Sequence, residues 1–468
     1  MIPEVTALTR RRFYWTLQDW LAKRFGSRQK LIRAKAQIRN SVHWEAIMDS
    51  NQFGRRRFLK QAAAGLATGA AGFATGTEWS ARGQSAGSAA KDVHYGHGEP
   101  SRFVTSGRGV RRAINHITYF TPIQDYSGII TPTGMHFVQL HTSYFPDIDP
   151  QQHRLTIHGM VDRPLSFSMD DLKRLPSVSR IHFLECQANG SPTGHANGNE
   201  NMGLPVQFVW GMTSCSEWTG VPLSVLLNEA GVQPGASWVI SEGAEAGRWS
   251  HTIPLGKAMD DCIVAFGQNG EPLRPEQGFP LRLVVPGWEG LNNVKYLNHI
   301  KVVNHSEDPT GVNHGTSLRP DVGGKSRWYH FQWGPKSVIT RPSPGLNMPG
   351  KGYVQITGLA WSGGGAVSKV DVSTDGGRTW KEAKIQGPAL PKAHTRFTFD
   401  WNWDGEEAVI QSRCTDDQGD VQPSIAELYR DWGVTGEEAK KPVRASHYNA
   451  MQPWKVARDG SLHNAMFS

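Results

Sequence analysis

Phe183-Leu184-Glu185-Cys186-Gln187-Ala188-Asn189-Gly190 is the stretch whose reading decides the fold. Apolar, strand-forming residues from Ile181 onward run straight into a thiol. Small, polar and glycine residues then follow as far as Gly203, too loose in composition for a helix or a strand. A cysteine at the end of a strand, facing a Gly/Asn-rich loop, has open backbone beside it on which a large ligand can lie. Four cysteines occur in all, Cys186, Cys215, Cys262 and Cys414, and none has a CxxC, CxxCH or zinc-type spacing. Taken singly, each also reads as a small buried apolar residue. What the loop means therefore depends on the rest of the chain.

The first sixty residues carry 14 Lys/Arg against 4 Asp/Glu, a net of +10, whereas the whole chain is +8. Residues 61–468 thus sum to −2, so the basic character belongs to the leader and no nucleic-acid partner is expected. Arg55-Arg56-Arg57-Phe58-Leu59-Lys60, then an Ala/Gly-rich run to about Thr77, then small residues from Ser85 to Ala90, have the layout of an export signal. The arginine pair followed by Phe-Leu-Lys matches the twin-arginine pattern, a route taken by proteins already folded, often around a cofactor. The apolar run is too short and too rich in Gly and Ala for a membrane anchor, which needs about 20 apolar residues. Periplasmic localisation follows as an expectation, with residues 1–90 as leader and the mature chain starting near Lys91. Arg10 to Arg39 fits a basic amphipathic helix; an over-long start site and a leader extension are both compatible with it.

Residues 91–135 read as coil. Strand signals begin at His136–His141 and recur at Arg154–Gly159, Trp238–Ser241, Cys262–Phe266 and Leu281–Val285. Ser168 followed by Asp170 and Asp171 marks a helix start, and Thr219 to Ala230 reads as a helix closed by Gly231. Helices and strands without regular alternation argue for an α+β fold. Beyond Ser343-Pro344-Gly345, short strands separated by Gly-rich turns point to a β-sandwich, with Trp361 and Trp380 in its core. The expected division is therefore a catalytic domain over 91–335, a sandwich over 336–440 and a tail over 441–468.

Four segments together resemble the sulfite oxidase family of molybdenum-cofactor enzymes. The cysteine loop stands where that family has a Cys-Ala-Gly-Asn motif. The others are Gly278 to Gly287, Asn292-Asn293-Val294-Lys295-Tyr296-Leu297, and Gly358 to Gly364 with Val370 to Trp380. The resemblance implies a mixed α/β molybdopterin-binding domain followed by an immunoglobulin-like dimerisation domain, and a homodimer. It implies that the Cys186 thiolate binds molybdenum, where a soft sulfur suits a metal already held by the pterin's sulfur pair. It also implies that Arg282, Asn293, Val294 and Lys295 hold the pterin, with Arg282 and Lys295 as donors to its phosphate. Without the resemblance, both cations would read as solvated surface charges. Phe137, Gln139 and His141 fall on a further cofactor-contacting segment, Glu245 on a cofactor-contacting aspartate, and Gln277 on a histidine or asparagine position.

The departures from the family pattern carry information. Direct sulfite oxidases bind the anion with an arginine in a Phe-x-Arg-Asn-His motif, and here that catalytic position is Gln139. Their tyrosine motif has no counterpart between His305 and Lys325, and no heme-binding segment is evident, so electrons are expected to leave through another protein. Together with the export signal and the ending Asn449–Ala457, these departures resemble the SoxC branch of the family. That branch works with a c-type cytochrome, SoxD, alone or in a heterotetramer, on sulfane sulfur carried by SoxYZ. Three other readings stay open: a sulfite dehydrogenase binding its anion through Arg248 or His251, a sulfoxide reductase, and a non-catalytic binding module in which Cys186 is merely buried.

Overall fold

A computed structural model describes residues 106–140 except 114–115, and 144–191, 204–306, 318–320, 326–328, 332–440 and 447–466. All of them fall within one compact unit, Tyr95–Ser468. The basic leader, the twin-arginine segment, the expected start near Lys91 and His141 lie outside the described residues.

Two sheets build the first half. In one, Val178–Glu185, Thr213–Pro222 and Ile263–Gln268 run antiparallel, with Glu271–Pro272 and Arg282–Val284 also paired to Ile263–Gln268. In the other, the order is Leu165–Ser168, Arg154–Gly159, Leu297–Val303, Trp238–Gly243, Ser250–Pro254, and only the pair 154–159 with 297–303 is parallel. Helices Met169–Arg174, Leu223–Ala230 and Leu255–Asp260 pack with them. Leu223, Leu226 and Leu227 share one core with Leu155, Ile157 and Leu283. The α+β expectation describes this arrangement.

Local chemistry explains the element boundaries. Ser168 Oγ accepts the Asp171 N–H at 3.1 Å while Asp171 Oδ2 accepts the Ser168 N–H at 2.9 Å, a capping box that starts the first helix. Gly231, at φ 71°, ends the helix Leu223–Ala230 in the left-handed conformation that glycine enters without a Cβ penalty. That helix begins at Leu223 and not at the expected Thr219. Thr213 to Gly220 pair with Val178–Glu185, Val221 and Pro222 pair with Val264 and Ile263, and Pro222 stands at the helix N-cap.

A second correction concerns 91–135. Gly109–Ala113 and His116–Phe120 form an antiparallel sheet with Val138–Leu140, so this region is not all coil. Ile117, Thr118, Tyr119 and Phe120 are strand formers whose short run is hidden among Gly, Pro and His.

The second half is a sandwich. One sheet holds Lys336–Arg341, Gly352–Trp361, Thr395–Trp403 and Lys384–Gln386; the other holds Lys381–Glu382, Val367–Ser373 and Ala408–Asp416. The segment expected as a tail adds Trp454–Val456 and Leu462–Asn464 to the second sheet. Trp454 is buried, and its Nε1 donates to Ile339 O of the first sheet at 2.9 Å, joining the two layers. Trp361 is fully buried as expected. Trp380 is not core: it is half-buried at a turn, donates to Gly377 O at 3.1 Å and lies 4.4 Å under Arg413. Phe183, Trp210 and Cys215 from the first half share one hydrophobic cluster with Trp333, Trp361 and Trp454, so one of the core clusters spans both halves. No helix among the described residues is long and apolar enough to cross a membrane.

Candidate functional site

Strand Val178–Glu185 delivers Cys186 into a tight loop. The Cys186 N–H donates to Met212 O at 3.0 Å, and its carbonyl accepts the Asn189 N–H at 2.9 Å. Asn189 is buried; its Nδ2 donates to Glu185 Oε1 at 2.9 Å and its Oδ1 accepts the Met212 N–H at 3.0 Å. Gly190, at φ 72°, sits so close to the Trp210 ring that a Cβ there would lie 2.4 Å from it. Gly290 makes a similar approach: a Cβ would lie 2.7 Å from Glu185 O and 3.4 Å from Cys186 Cα. Gly290, at the head of the segment that leads to Lys295, therefore lies beside the cysteine.

Among the four free cysteines, Cys186 alone is half-buried, and the other three are buried. Burial pushes its thiol up to about 12; a hydrogen bond from the Ala188 backbone opposes this, and the charges of Glu185 and Glu289 add to it. Protein groups alone therefore keep the sulfur protonated. A metal cation would supply the missing positive charge.

Arg282 and Lys295 form the second part of the site. They face each other in an antiparallel bridge. Arg282 is buried; its Nη1 donates to Gln277 O at 3.1 Å and Gln277 Oε1 at 3.2 Å, its Nη2 to Asn293 O at 3.2 Å, and the guanidinium lies 4.9 Å over Trp218. Lys295 Nζ donates to Gln139 O at 3.0 Å and Glu276 O at 3.3 Å. Burial lowers both pKa values, with the neighbouring Arg282 charge as a second cause at Lys295, which falls to about 7. Both cations are held by neutral oxygens, and among the described residues neither is in an ion pair with a carboxylate.

The other expected residues gather around this pair. Gln277 Nε2 donates to Phe137 O at 3.1 Å. Gln139 Oε1 accepts the Thr118 hydroxyl at 2.9 Å. Glu245 Oε1 accepts the Trp249 N–H at 2.7 Å, and a Cβ at Gly243 would touch both Glu245 Oε2 and Lys295 O. Asn293 spends its side chain on structure, accepting from Val285 N at 2.6 Å and donating to Glu289 O at 3.0 Å. Val294 packs its side chain in the core with Leu281 and Leu283, so that side chain does not line the site. Cys186 packs against the same apolar cluster as Phe137 and Trp218.

Sequence reading missed His136. It is fully buried, stacks on Phe137 and donates Nδ1–H to Phe137 O at 3.0 Å, which leaves Nε2 as an acceptor with no hydrogen-bond partner among the described residues. Burial drives its pKa down to about 3, with Arg282 and Lys295 opposing protonation further. Glu185 was also missed; an acid ending an apolar strand was the available signal. A separate cleft of about 490 Å³ lies toward the far end of the same strand, lined by Val178, Arg180, His182 and Lys392.

Comparisons with known proteins identify the family. Residues 141–310 match the model described as oxidoreductase molybdopterin binding domain, and 330–440 the Mo-co oxidoreductase dimerisation domain. Rat mitochondrial sulfite oxidase is 33% identical over 338 residues, which are 65% of this chain and 59% of that protein. The NADH nitrate reductase of Ulva prolifera is 30% identical over 369 residues, 70% of this chain and 41% of that protein. The crystal structure of the sulfane dehydrogenase SoxCD from Paracoccus pantotrophus superposes with a TM-score of 0.72 at 39% identity, covering 81% of this chain and 95% of that one. The chain belongs to the sulfite oxidase family. It is SoxC-like within that family, and its first domain is a molybdopterin-binding oxidoreductase domain.

The donor set fits the family's cofactor. Arg282 Nε, His136 Nε2 and Glu245 Oε2 are buried without hydrogen-bond partners among the described residues, a mixture of donor and acceptors that a pterin's polar edges can satisfy. Arg282 and Lys295 would hold the phosphate, and Cys186 would supply the protein's sulfur to the metal. When bound, the cofactor supplies the two-electron redox and oxygen-transfer chemistry of the family. The chain's own contribution is to hold these donors, most of them buried, in place before anything binds.

Proposed function

We propose that the protein oxidises sulfane sulfur held on a SoxYZ-type carrier and passes the electrons to a SoxD-type c-type cytochrome. We further propose that it works in the periplasm after twin-arginine export, as a homodimer or in a heterotetramer with the cytochrome. The observation that carries the reading is the neutral amide at position 139. A small dianion needs a bidentate cation, and Gln139 offers none, while its carbonyl and Thr118 keep it fixed against Lys295 and the neighbouring strand. Sulfur delivered on a protein carrier is positioned by the carrier and does not need that clamp. The likeness to a structure titled sulfane dehydrogenase supports the same direction.

A direct sulfite dehydrogenase is the second reading, and Arg248 favours it. This residue sits at φ 45°, a conformation that costs about 1–3 kcal/mol for a non-glycine residue and clusters at functional positions. Its guanidinium is already engaged by Glu242 at 3.0 and 2.5 Å, so an anion would have to compete with a carboxylate. Steady-state turnover with cytochrome c decides between the two. Saturable activity on carrier-bound sulfane sulfur, with free sulfite consumed only at high concentration, is the expected result. Saturation by low sulfite would establish the second reading.

A further inference from the structure

Directly behind Cys186 lies a charge pair that stability does not explain. Lys336 Nζ meets Glu185 Oε1 at 2.6 Å, and both side chains are wholly buried. The ammonium sits 3.9 Å over the Trp333 ring, with Trp210 and Trp361 also around it. A buried ion pair is often no more stabilising than apolar side chains of the same volume, so its presence points to what it orients.

What it orients is the residue before the cysteine. The Glu185 carboxylate receives three donors: Lys336 and, at 2.7 Å, Trp361 Nε1 from two strands of the sandwich, and Asn189 Nδ2 at 2.9 Å from the loop itself. On the other side of the cysteine, the Gln187 carbonyl accepts the His447 N–H at 2.9 Å. The His447 ring stacks on Trp333 at 4.2 Å and meets Glu289 at 3.0 Å. Residues 185 and 187 are thus each gripped by a group from beyond position 330.

We propose that Lys336 and Trp361 are positioning residues for Cys186. Through Glu185 they fix the direction of the thiol, which makes the sandwich the rear wall of the metal site and gives it a role separate from dimerisation. This rests on the reading of Cys186 as the metal ligand.

The test uses full-length apoprotein and its thiols. Iodoacetamide labelling, mapped by peptide mass spectrometry, reports Cys186 against the buried control Cys215. The variants are Lys336→Met, which keeps a hydrocarbon in the Trp box, Trp361→Phe, which deletes one donor, and Glu185→Gln with Lys336→Met, which leaves no unpaired charge if the single variant fails to fold. Expected, from rates taken across pH so that a change in thiol ionisation is separated from a change in access, is Cys186 thiolate labelling at least about tenfold faster in the lysine variants and a few-fold faster in Trp361→Phe, with Cys215 unchanged. In molybdenum-loaded protein, the sulfur-to-metal absorption should shift or broaden. Unchanged Cys186 labelling, or acceleration at Cys186 and Cys215 alike, would overturn the proposal, the second because it reports general loosening. Wild-type protein that takes up no molybdenum in a cofactor-producing host would sink the metal reading instead. The labelling ratio would still decide whether the clamp exists.

Discussion

Arg282 and Lys295 stand opposite each other across a β-bridge, two cations whose hydrogen bonds among the described residues all go to neutral oxygens. Such an arrangement costs free energy until an anion arrives. The Lys295 pKa of about 7 lies below its ordinary 10.5, so between those values the unfolded chain binds more protons than the folded one. Apoprotein stability should therefore be lowest below pH 7 and rise as pH climbs toward 10. Lys295→Met should flatten that slope and stabilise the apoprotein near pH 6 by roughly 1–3 kcal/mol, while lowering molybdenum occupancy. Thermal melts across pH, paired with metal analysis, check both halves. A variant that lost stability and kept its metal would show that the lysine is structural.

Cys186 and Cys215 should separate function from stability. Cys186→Ser keeps the side chain's size but replaces a soft ligand by a hard, weakly acidic hydroxyl. Turnover should fall below about one per cent of wild type with the melting temperature nearly unchanged. Cys215 is buried, and its sulfur accepts the His394 N–H at 3.5 Å. Cys215→Ser places a hydroxyl in an apolar core and should cost about 1–3 kcal/mol with activity per folded molecule preserved. Parallel assays and melts of the two variants check the contrast.

These outcomes also show what the sequence could convey. Elements with strong local signals were legible: strand Arg154–Gly159, the cap at Ser168 and the stop at Gly231 all stand where their residues place them. Strand Thr213–Pro222 was hidden, because most of its residues are small or polar, so no run of alternating apolar side chains marks it in the sequence. At the site, the resemblance named Arg282 and Lys295, yet their pairing depends on a bridge between distant segments. Lys336 and His447 were invisible for the same reason: 151 residues separate Lys336 from Glu185, and no local pattern records that meeting.

The C-terminal strands invite a stability test. Trp454 fills the sandwich core and bonds across to Ile339, although it lies beyond the expected limit of that domain. Trp454→Ala should cost about 3–5 kcal/mol, and Trp454→Phe, which keeps most of the volume and loses the hydrogen bond, about 1–2 kcal/mol. Denaturant midpoints measure both. Equal, negligible losses would mean that the segment is held loosely and the sandwich closes without it.

Position 139 offers the sharpest functional test. Gln139 lies on the strand Val138–Leu140, tied to Thr118, with Lys295 at its carbonyl. Gln139→Arg would place a planar fork of donors where the sulfite-oxidising relatives are expected to have one. A charge-assisted pair is worth about 1.5–3 kcal/mol, so kcat/KM for free sulfite should rise roughly tenfold to a hundredfold. Because the gain is electrostatic, it should shrink as salt is raised from low ionic strength. A third cation beside Arg282 and Lys295 should also lower the melting temperature of the apoprotein. Activity toward carrier-bound sulfane sulfur should stay level or fall, since that substrate gains nothing from the new charge. If the variant gained no sulfite activity while its metal content matched wild type, the neutral amide would not be what excludes the anion. Substrate choice would then have to reside in the entrance to the site.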